Sequence, residues 1–339
     1  MAAIGTLYKN IVDMTQQLHR GKVLPDVELL HQEVGLTGLM PVMQCNDGTT
    51  HLYRLETALP SVFQTAHGEG ALPSKSQGAL ERASCTMLQG WSVIPRTTSL
   101  LGGQQAALRA KEDAKFAESM RQKYATTILY DNRNTNLKGI YGIQPMFNRL
   151  STAKSKNVID CGGTGANAQT SAYVLNVGPD VYTIVPEGLP GGYRRINHGE
   201  MVDTLSNGNQ IAMLKTEHEW HFGFVNEAWP SIVRLCNIEV ADLDTLVNEQ
   251  APTGFQHLLH KLIAAKMRVR RRPGTPIILV NDTVYQLILR LATVTAGDVV
   301  TWEKGTTQFG NFEEMSIYGM RVVRCDSILN TESVVTNAT

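Results

Sequence analysis

From Ala58 to Ser84 the chain runs for 27 residues in which Gly, Ala, Ser and Pro dominate and Phe63 is the single aromatic side chain. At its centre, TAHGEGALPSKSQGAL (residues 65–80) offers two leucines as its largest apolar groups. Compact domains rarely carry structureless connections beyond ~12–15 residues, and those that persist are functional or disordered. Strands flank it. Residues 50–57 alternate, with His51, Tyr53 and Leu55 on one face and Leu52, Arg54 and Glu56 on the other. Residues 85–94 alternate again around Trp91 and Val93, the two-residue period of a strand. The fold must therefore accommodate an elongated hairpin whose far half buries almost nothing of its own.

The rest of the chain is able to fold. A hydrophobic content of 42% over 339 residues supplies one large core or two ordinary ones and argues against global disorder. Charged residues are 18%, and 31 basic residues balance 31 acidic ones. A surface with few charges and no net charge is poorly protected against self-association, and it gives no bulk attraction to nucleic acid. Cys45, Cys85, Cys161, Cys236 and Cys325 are scattered, odd in number and without a CxxC pair, which reads as reduced cytoplasmic thiols instead of a disulfide framework or zinc site. The N-terminus has no apolar signal-peptide core, and no run approaches the ~18 apolar residues of a spanning helix. These features predict a protein made and kept soluble in a cytoplasm, without a membrane partner.

Along the chain, Leu7, Ile11, Met14 and Leu18 form a helical stripe stopped at Gly21, and Val27, Leu30 and Val34 form a shorter one ended by Gly35. After Gly102-Gly103, QQAALRAKEDAKFAESMRQKY predicts a long helix. Ala106, Ala110, Ala114, Ala117, Met120 and Tyr124 share one face; Arg109, Glu112, Ser119 and Gln122 share the other. The alanine stripe is expected to press against a sheet. From Ile128 the texture becomes Gly/Asn-rich, with short apolar runs between turns: VIDCGGTG, SAYVLNVG, VYTIVPEG, HFGFVN and SIVRLCNIEV. A helix FQHLLHKLIAAKM with Phe255, Leu258, Leu259, Leu262 and Ile263 on one side follows. Next come strand PIILV, an Asn281-Asp282 cap, helix TVYQLILRLAT, strand YGMRVVRC and a polar tail. The class is α+β.

Catalytic motifs fail on inspection. CGGTGANAQTS (161–171) lacks the Lys-Ser/Thr pair of a phosphate loop and the GxGxxG spacing, and reads as a tight turn. EHEWH (217–221) sets His218 and His221 three residues apart where a zinc-protease helix needs four, in a context that reads as strand and turn. His257 and His260 share a helix face with Lys261, but two ligands make a weak metal site. No GxSxG elbow occurs. The one strong charge run is KMRVRRRPG, with Lys266, Arg268, Arg270, Arg271 and Arg272 and no acid among them. It fits nucleic-acid phosphate, carboxylates of a neighbouring subunit, or a solvated face. With no cofactor or metal called for, the chain leans toward a structural role.

The order of these pieces (arm, hairpin, long helix, Gly/Asn-rich domain, returning strand) resembles the Hong Kong 97-type major capsid protein of tailed bacteriophages. LPSKSQGALERA, ILYDNRNTNLKGIYGIQPMF, VIDCGGTGANAQTSAYVLNVG, YTIVPEG, SIVRLCNIEVADLDTL and YGMRVVRCDSILNTES look most like the capsid family of short-tailed phages such as those infecting Bordetella. The resemblance spans nearly the whole chain. It implies an N-terminal arm at 1–37, an E-loop hairpin with flanking peripheral strands at 38–100, and a spine helix of the peripheral domain at 101–127. It further implies an axial domain at 128–316 and a return strand and tail at 317–339. On this resemblance residues 58–84 reach across a neighbouring subunit, mobile in isolation and ordered in the shell. The chain self-assembles into hexamers and pentamers that form an icosahedral shell around double-stranded DNA. Scaffolding, portal and cement proteins are further partners, DNA contact is weak and non-specific, and the site is the virion capsid, assembled in the host cytoplasm.

Arg54, Lys75 and Arg82 are the expected intersubunit contacts along the hairpin, and Lys266, Arg268, Arg270, Arg271 and Arg272 a basic patch for a subunit or DNA. Some relatives crosslink a hairpin lysine to a neighbour's asparagine; Lys75 is the only lysine in 58–84, and nothing in the sequence carries that reaction to this chain. Two alternatives remain open at this stage: an encapsulin-like compartment shell, and an enzyme using the 161–171 loop.

Overall fold

The computed structural model describes residues 18–19, 22–23, 32–100, 105–150, 156–189, 191–204, 208–241, 253–269, 273–294, 300–307 and 310–336. Its elements run β1 Leu18–His19, β2 Lys22–Val23, β3 Val42–Gln44, β4 Thr50–Ala58, β5 Gln77–Pro95, α1 Arg96–Ser99, α2 Gln105–Tyr130, α3 Ile143–Met146, β6 Val158–Asp160, β7 Gln169–Val177 and β8 Val181–Val185. There follow β9 Gly192–Thr204, β10 Gln210–Asn226, β11 Ile232–Glu239, α4 Thr253–Arg268, β12 Thr275–Val280, α5 Asp282–Val294, β13 Val300–Thr307, β14 Gly310–Ile317 and β15 Met320–Arg324. One compact unit takes Met1–Gln32, Met87–Tyr124 and Pro190–Phe222; the other takes Glu33–Thr86, Ala125–Leu189 and Gly223–Thr339.

The larger unit is organised on a seven-stranded mixed sheet ordered β13-β14-β15-β12-β7-β11-β6. All nine residues of β7 are buried. A strand covered on both faces reads as a continuous run, not an alternation, which is why SAYVLNVG lacks a period. Pairing is parallel where β12 meets β15 and β11 meets β6, and antiparallel across β7. Leu258, Leu262 and Ala265 of α4 and Val284, Leu287 and Ile288 of α5 pack with Val174, Val233, Leu235 and Ile278. The expected cap is present: the Asn281 side-chain oxygen accepts from the Val284 amide at 2.9 Å, and its amide group donates to Thr170 Oγ1 at 3.0 Å. In the same unit β3 pairs parallel with β8, β8 pairs antiparallel with Gly223–Asn226 of β10, and β4 pairs antiparallel with the first part of β5.

In the smaller unit, β9 and β10 form a long antiparallel hairpin with a bulge between Lys215 and Thr216. EHEWH lies inside β10 and behaves as the strand period requires. His218 stacks on Phe116 of α2 with ring centroids 5.0 Å apart, and Trp220 stacks on Tyr124 at 4.5 Å.

Four sequence expectations need correction. The chain is already in strand β5 at Gln77, paired with Ala58, so the connection between strands is 59–76 and not the whole of 58–84. The predicted stripe of α2 packs only in its second half: Ala106, Ala110 and Ala114 are exposed, whereas Ala117 is half-buried and Met120 and Tyr124 are buried, and in the first half Leu108 and Asp113 are buried instead. Asp113 is able to go inside because Arg195 pairs with it at 2.6 Å. Of the two N-terminal helices, Leu7, Ile11, Met14, Val27 and Leu30 lie outside the described residues. Leu18 is in β1, paired with Val23, and Val34 bridges Cys325 in extended conformation. Gly35 therefore ends no helix there; a Cβ on it would sit 2.4 Å from the Arg324 carbonyl oxygen, so glycine permits that close approach. Last, the polar tail is held: Ile328, Glu332 and Val335 are buried.

Candidate functional site

Every residue from Glu56 to Leu80 is exposed. Among them Leu59, Val62, Leu72 and Leu80 show 81%, 92%, 77% and 76% of their surface, and Phe63 shows 52%. Scattered exposed apolar residues are ordinary, whereas a concentration on one projecting element marks an interaction surface. Polar contacts order the tip locally: Ser74 Oγ donates to the Ser61 carbonyl at 2.6 Å, and the Ala66 amide donates to Glu69 Oε2 at 3.2 Å.

At the hairpin's root the chemistry changes. Tyr53 donates to Glu81 at 2.9 Å across β4 and β5, and burial first, then the Glu81 carboxylate, raises its hydroxyl pKa above the ordinary tyrosine value. Tyr182 donates to Glu227 at 2.6 Å and contacts His51 Nε2 at 2.9 Å. Beside them Cys45 and Cys85 stand with Sγ atoms 3.2 Å apart. A groove of about 520 Å³ opens here, lined among others by Tyr53, Arg82, Asn132, Tyr141, Arg149 and Trp229. The segment DNRNTNLKGIYG is shaped by Asp131, whose carboxylate accepts from the Ile140 amide at 2.8 Å and the Asn132 amide at 3.1 Å.

The sequence-predicted residues divide. Arg54, Lys75 and Arg82 are all exposed on the hairpin. Arg82 pairs with Asp47 at 3.5 Å with 60% of its side chain in solvent, a contact that contributes little by itself. Arg54 lies against Gly78, where a Cβ would come within 2.5 Å of its Nε. In the basic run, Lys266 donates to the Tyr318 carbonyl and Arg268 to the Lys156 and Val158 carbonyls. Arg270, Arg271 and Arg272 lie outside the described residues. His260 is exposed and Lys261 half-buried on α4, and the side chain of His257 lies outside the described residues.

The glycine loop is closed to a phosphate by its own neighbours. The Gly162 amide donates to Asp160 at 2.9 Å, the Gly163 amide to the Asn237 carbonyl at 2.9 Å, and the Thr164 amide to Glu239 at 3.1 Å. The amides that a phosphate would need are already bound to acceptors, two of them carboxylates.

Sequence reasoning missed a fully buried charge. Arg234 is fully buried and pairs with Glu332 at 2.8 Å. Its other donors reach Ser171 Oγ at 3.1 Å and the Phe147 carbonyl at 3.0 Å. Tyr130 closes the set on Glu332 at 2.6 Å. Arg234 sits inside SIVRLCNIEV, an apolar run that an arginine enters only with partners; that was the available signal.

A family profile described as Major capsid protein GP7 matches residues 19–336. No curated protein matches the chain. Among solved structures, the bacteriophage Epsilon15 structure derived from cryo-EM and modelling superposes with a TM-score of 0.79 at 22% identity, over 100% of both chains. The bacteriophage JBD30 capsid gives 0.46 at 11% identity over 96% of each chain. The SrpI encapsulin complex from Synechococcus elongatus PCC 7942 gives 0.43 at 10% over 67% of this chain and 95% of that one. The first of these shows a shared fold over the full length, a mixed α/β capsid fold of the Hong Kong 97 type; the other two are too distant to bear on the argument.

Proposed function

The chain belongs to the family of major capsid protein GP7, a structural component of the virion that forms a phage's icosahedral shell, and from that premise we propose how it does so. The observation that carries the proposal is the hairpin of β4 and β5, exposed from Glu56 to Leu80 and apolar at Leu59, Val62, Phe63, Leu72 and Leu80. Such an element gains its burial on a neighbouring copy, where strand edge and side chains are added to the neighbour's surface. The ordering cost of the tip is offset on assembly. Hexamers and pentamers built this way multiply modest contacts by symmetry.

On this reading residues 1–37 are the N-terminal arm, 38–100 the E-loop hairpin with its flanking strands, 101–127 the spine helix, 128–316 the axial domain and 317–339 the return strand and tail. Arg54, Lys75 and Arg82 make polar intersubunit contacts from the hairpin. Lys266, Arg268, Arg270, Arg271 and Arg272 serve a neighbouring subunit, or packaged double-stranded DNA as the second reading. Balanced charge, 31 against 31, suits a shell that holds its genome weakly. Scaffolding, portal and cement proteins are the partners this reading adds, and the short-tailed, Bordetella-phage-like subfamily is the finer placement supported by the order of the sequence segments.

The test is sedimentation velocity with negative-stain electron microscopy on the full chain, alone and with co-expressed phage proteins, beside the variant Val62→Ser/Phe63→Ser. Wild type is expected to give shells, rings or polyheads, and the variant a folded, unassembled subunit. A variant that assembles as wild type overturns the hairpin's role.

A further inference from the structure

Cys45 and Cys85 are forty positions apart in sequence, yet their Sγ atoms approach to 3.2 Å. A disulfide bond is ~2.05 Å long and forms only where two side chains already point at each other, so little movement separates this pair from bonding. Two frames hold them there. The Cys45 amide donates to the Val185 carbonyl at 2.9 Å, which fixes it to β8, and the Cys85 amide donates to the Thr49 carbonyl at 3.1 Å, which fixes it to the start of β4. Their surroundings are a small apolar cluster of Tyr182, Ile184 and Val225 with Tyr53 and Ala83 packed against it. Cys45 is buried and Cys85 half-buried, so an oxidant has one sulfur to approach and a resolving sulfur behind it.

We propose that Cys45 and Cys85 form a disulfide that staples the root of the hairpin to its own subunit once the protein meets an oxidising medium. The reacting partner is a low-molecular-weight disulfide. The Cys85 thiolate attacks it, giving a mixed disulfide and releasing one small thiolate. The Cys45 thiolate then attacks Cys85 Sγ and releases the second. Two protein thiols are oxidised, one small disulfide is reduced to two thiols, and the protons lost by the cysteines are taken up by solvent or by the departing thiolates. Burial raises the pKa of both thiols above the ordinary value, so less of each is thiolate at neutral pH and exchange is slower than at an exposed cysteine. The pairing rests on geometry. Its timing, after a particle leaves a reducing cell, rests on the capsid reading.

The bond closes a loop holding everything from Asn46 to Ser84, which includes the whole stretch over which β4 and β5 pair. A shell joined through its hairpins then has each hairpin covalently tied at its base to the β3–β8 ladder of the same subunit.

The experiment incubates the full-length protein with oxidised glutathione, alkylates remaining thiols in denaturant, and digests with trypsin. Cleavage after Lys22, Arg54, Arg82 and Arg96 sends the two cysteines into separate peptides, 23–54 and 83–96. Expected are one disulfide-linked pair of these peptides, alkylated Cys161, Cys236 and Cys325, and reversal by reductant. The melting midpoint is expected to rise on oxidation and to lose that rise in Cys45→Ala, where Cys85 stops as a glutathione adduct. Recovery of both cysteines fully alkylated, a persistent glutathione adduct in wild type, or linkage of Cys85 to a second chain would each overturn the proposal. These outcomes are read on peptides, so a failure to assemble would strike the capsid reading and leave the chemical result standing.

Discussion

Arg234 and His218 are buried charges or near-charges that the fold handles in opposite ways. Arg234 keeps its charge because Glu332, Ser171 and the Phe147 carbonyl take its donors. Removing one member of such a pair leaves an uncompensated charge, at a cost of about 3–5 kcal/mol. Glu332→Leu is expected to lose that much in denaturant unfolding, and Arg234→Met added to it to recover a large part. His218 instead stays neutral. It is fully buried, with Tyr193 Oη at 2.5 Å from Nδ1 and Asp113 at 3.3 Å from Nε2. Burial lowers its pKa below the ordinary 6.5, and the opposing pull of Asp113 is the weaker influence. The unfolded chain therefore takes up this proton first on acidification. The stability owed to neutral His218 is complete above pH 6.5 and is lost as pH falls through its lowered folded value. The melting midpoint is expected to drop over that window, and His218→Gln to flatten the slope. Neither arrangement was legible in sequence, because each depends on a partner far along the chain: 98 positions for Arg234, and a helix residue, Asp113, for His218.

Among the elements, those with a core on one or both sides announced themselves. Buried strands PIILV and VYTIV, helix α5 with its Asn281 cap, and the alternating strand around EHEWH all follow from apolar pattern and turn chemistry. The first part of β5 did not, and the reason is physical. Gln77 to Leu80 are exposed on both faces, so no buried face imposes alternation. Helix α2 follows its predicted stripe only in its second half, at Ala117, Met120 and Tyr124; in the first half the buried positions are Leu108 and Asp113, and Asp113 and half-buried Arg109 are satisfied by Arg195, Asn197 and Thr216. Exposure also fixes what hairpin changes should do to an isolated subunit. Leu72→Ser and Leu80→Ser are expected to shift its stability within about 0.5 kcal/mol, measured by thermal unfolding, while weakening assembly. Gly35→Ala should behave in the opposite way. Its methyl group would crowd the Arg324 carbonyl and Val323, displacing a segment held by the Gly35–Arg324 and Asp326–Glu33 backbone bonds. A loss of about 1–3 kcal/mol is expected for such overpacking, seen in the same melt.

For the whole molecule, the order of pieces carried more than any single motif. An arm, a hairpin whose far half buries almost nothing, a long helix and a Gly/Asn-rich domain resembled a shell protein in their order, and membership of the major capsid protein GP7 family agrees. What that order did not contain is how the larger unit is closed. The tail returns to pair Glu332 with Gln169 through backbone bonds of 3.3 and 2.9 Å, and Asn237 clasps Val335 with bonds of 2.8 and 3.0 Å. Both anchors, Arg234 and Asn237, belong to β11, roughly a hundred residues earlier. Residues 328–335 leave the ribosome after every strand they brace. A subunit whose synthesis stops short of them holds a buried guanidinium with its carboxylate missing. The strands of the larger unit are thus complete in sequence before the carboxylate that neutralises their buried guanidinium is in place.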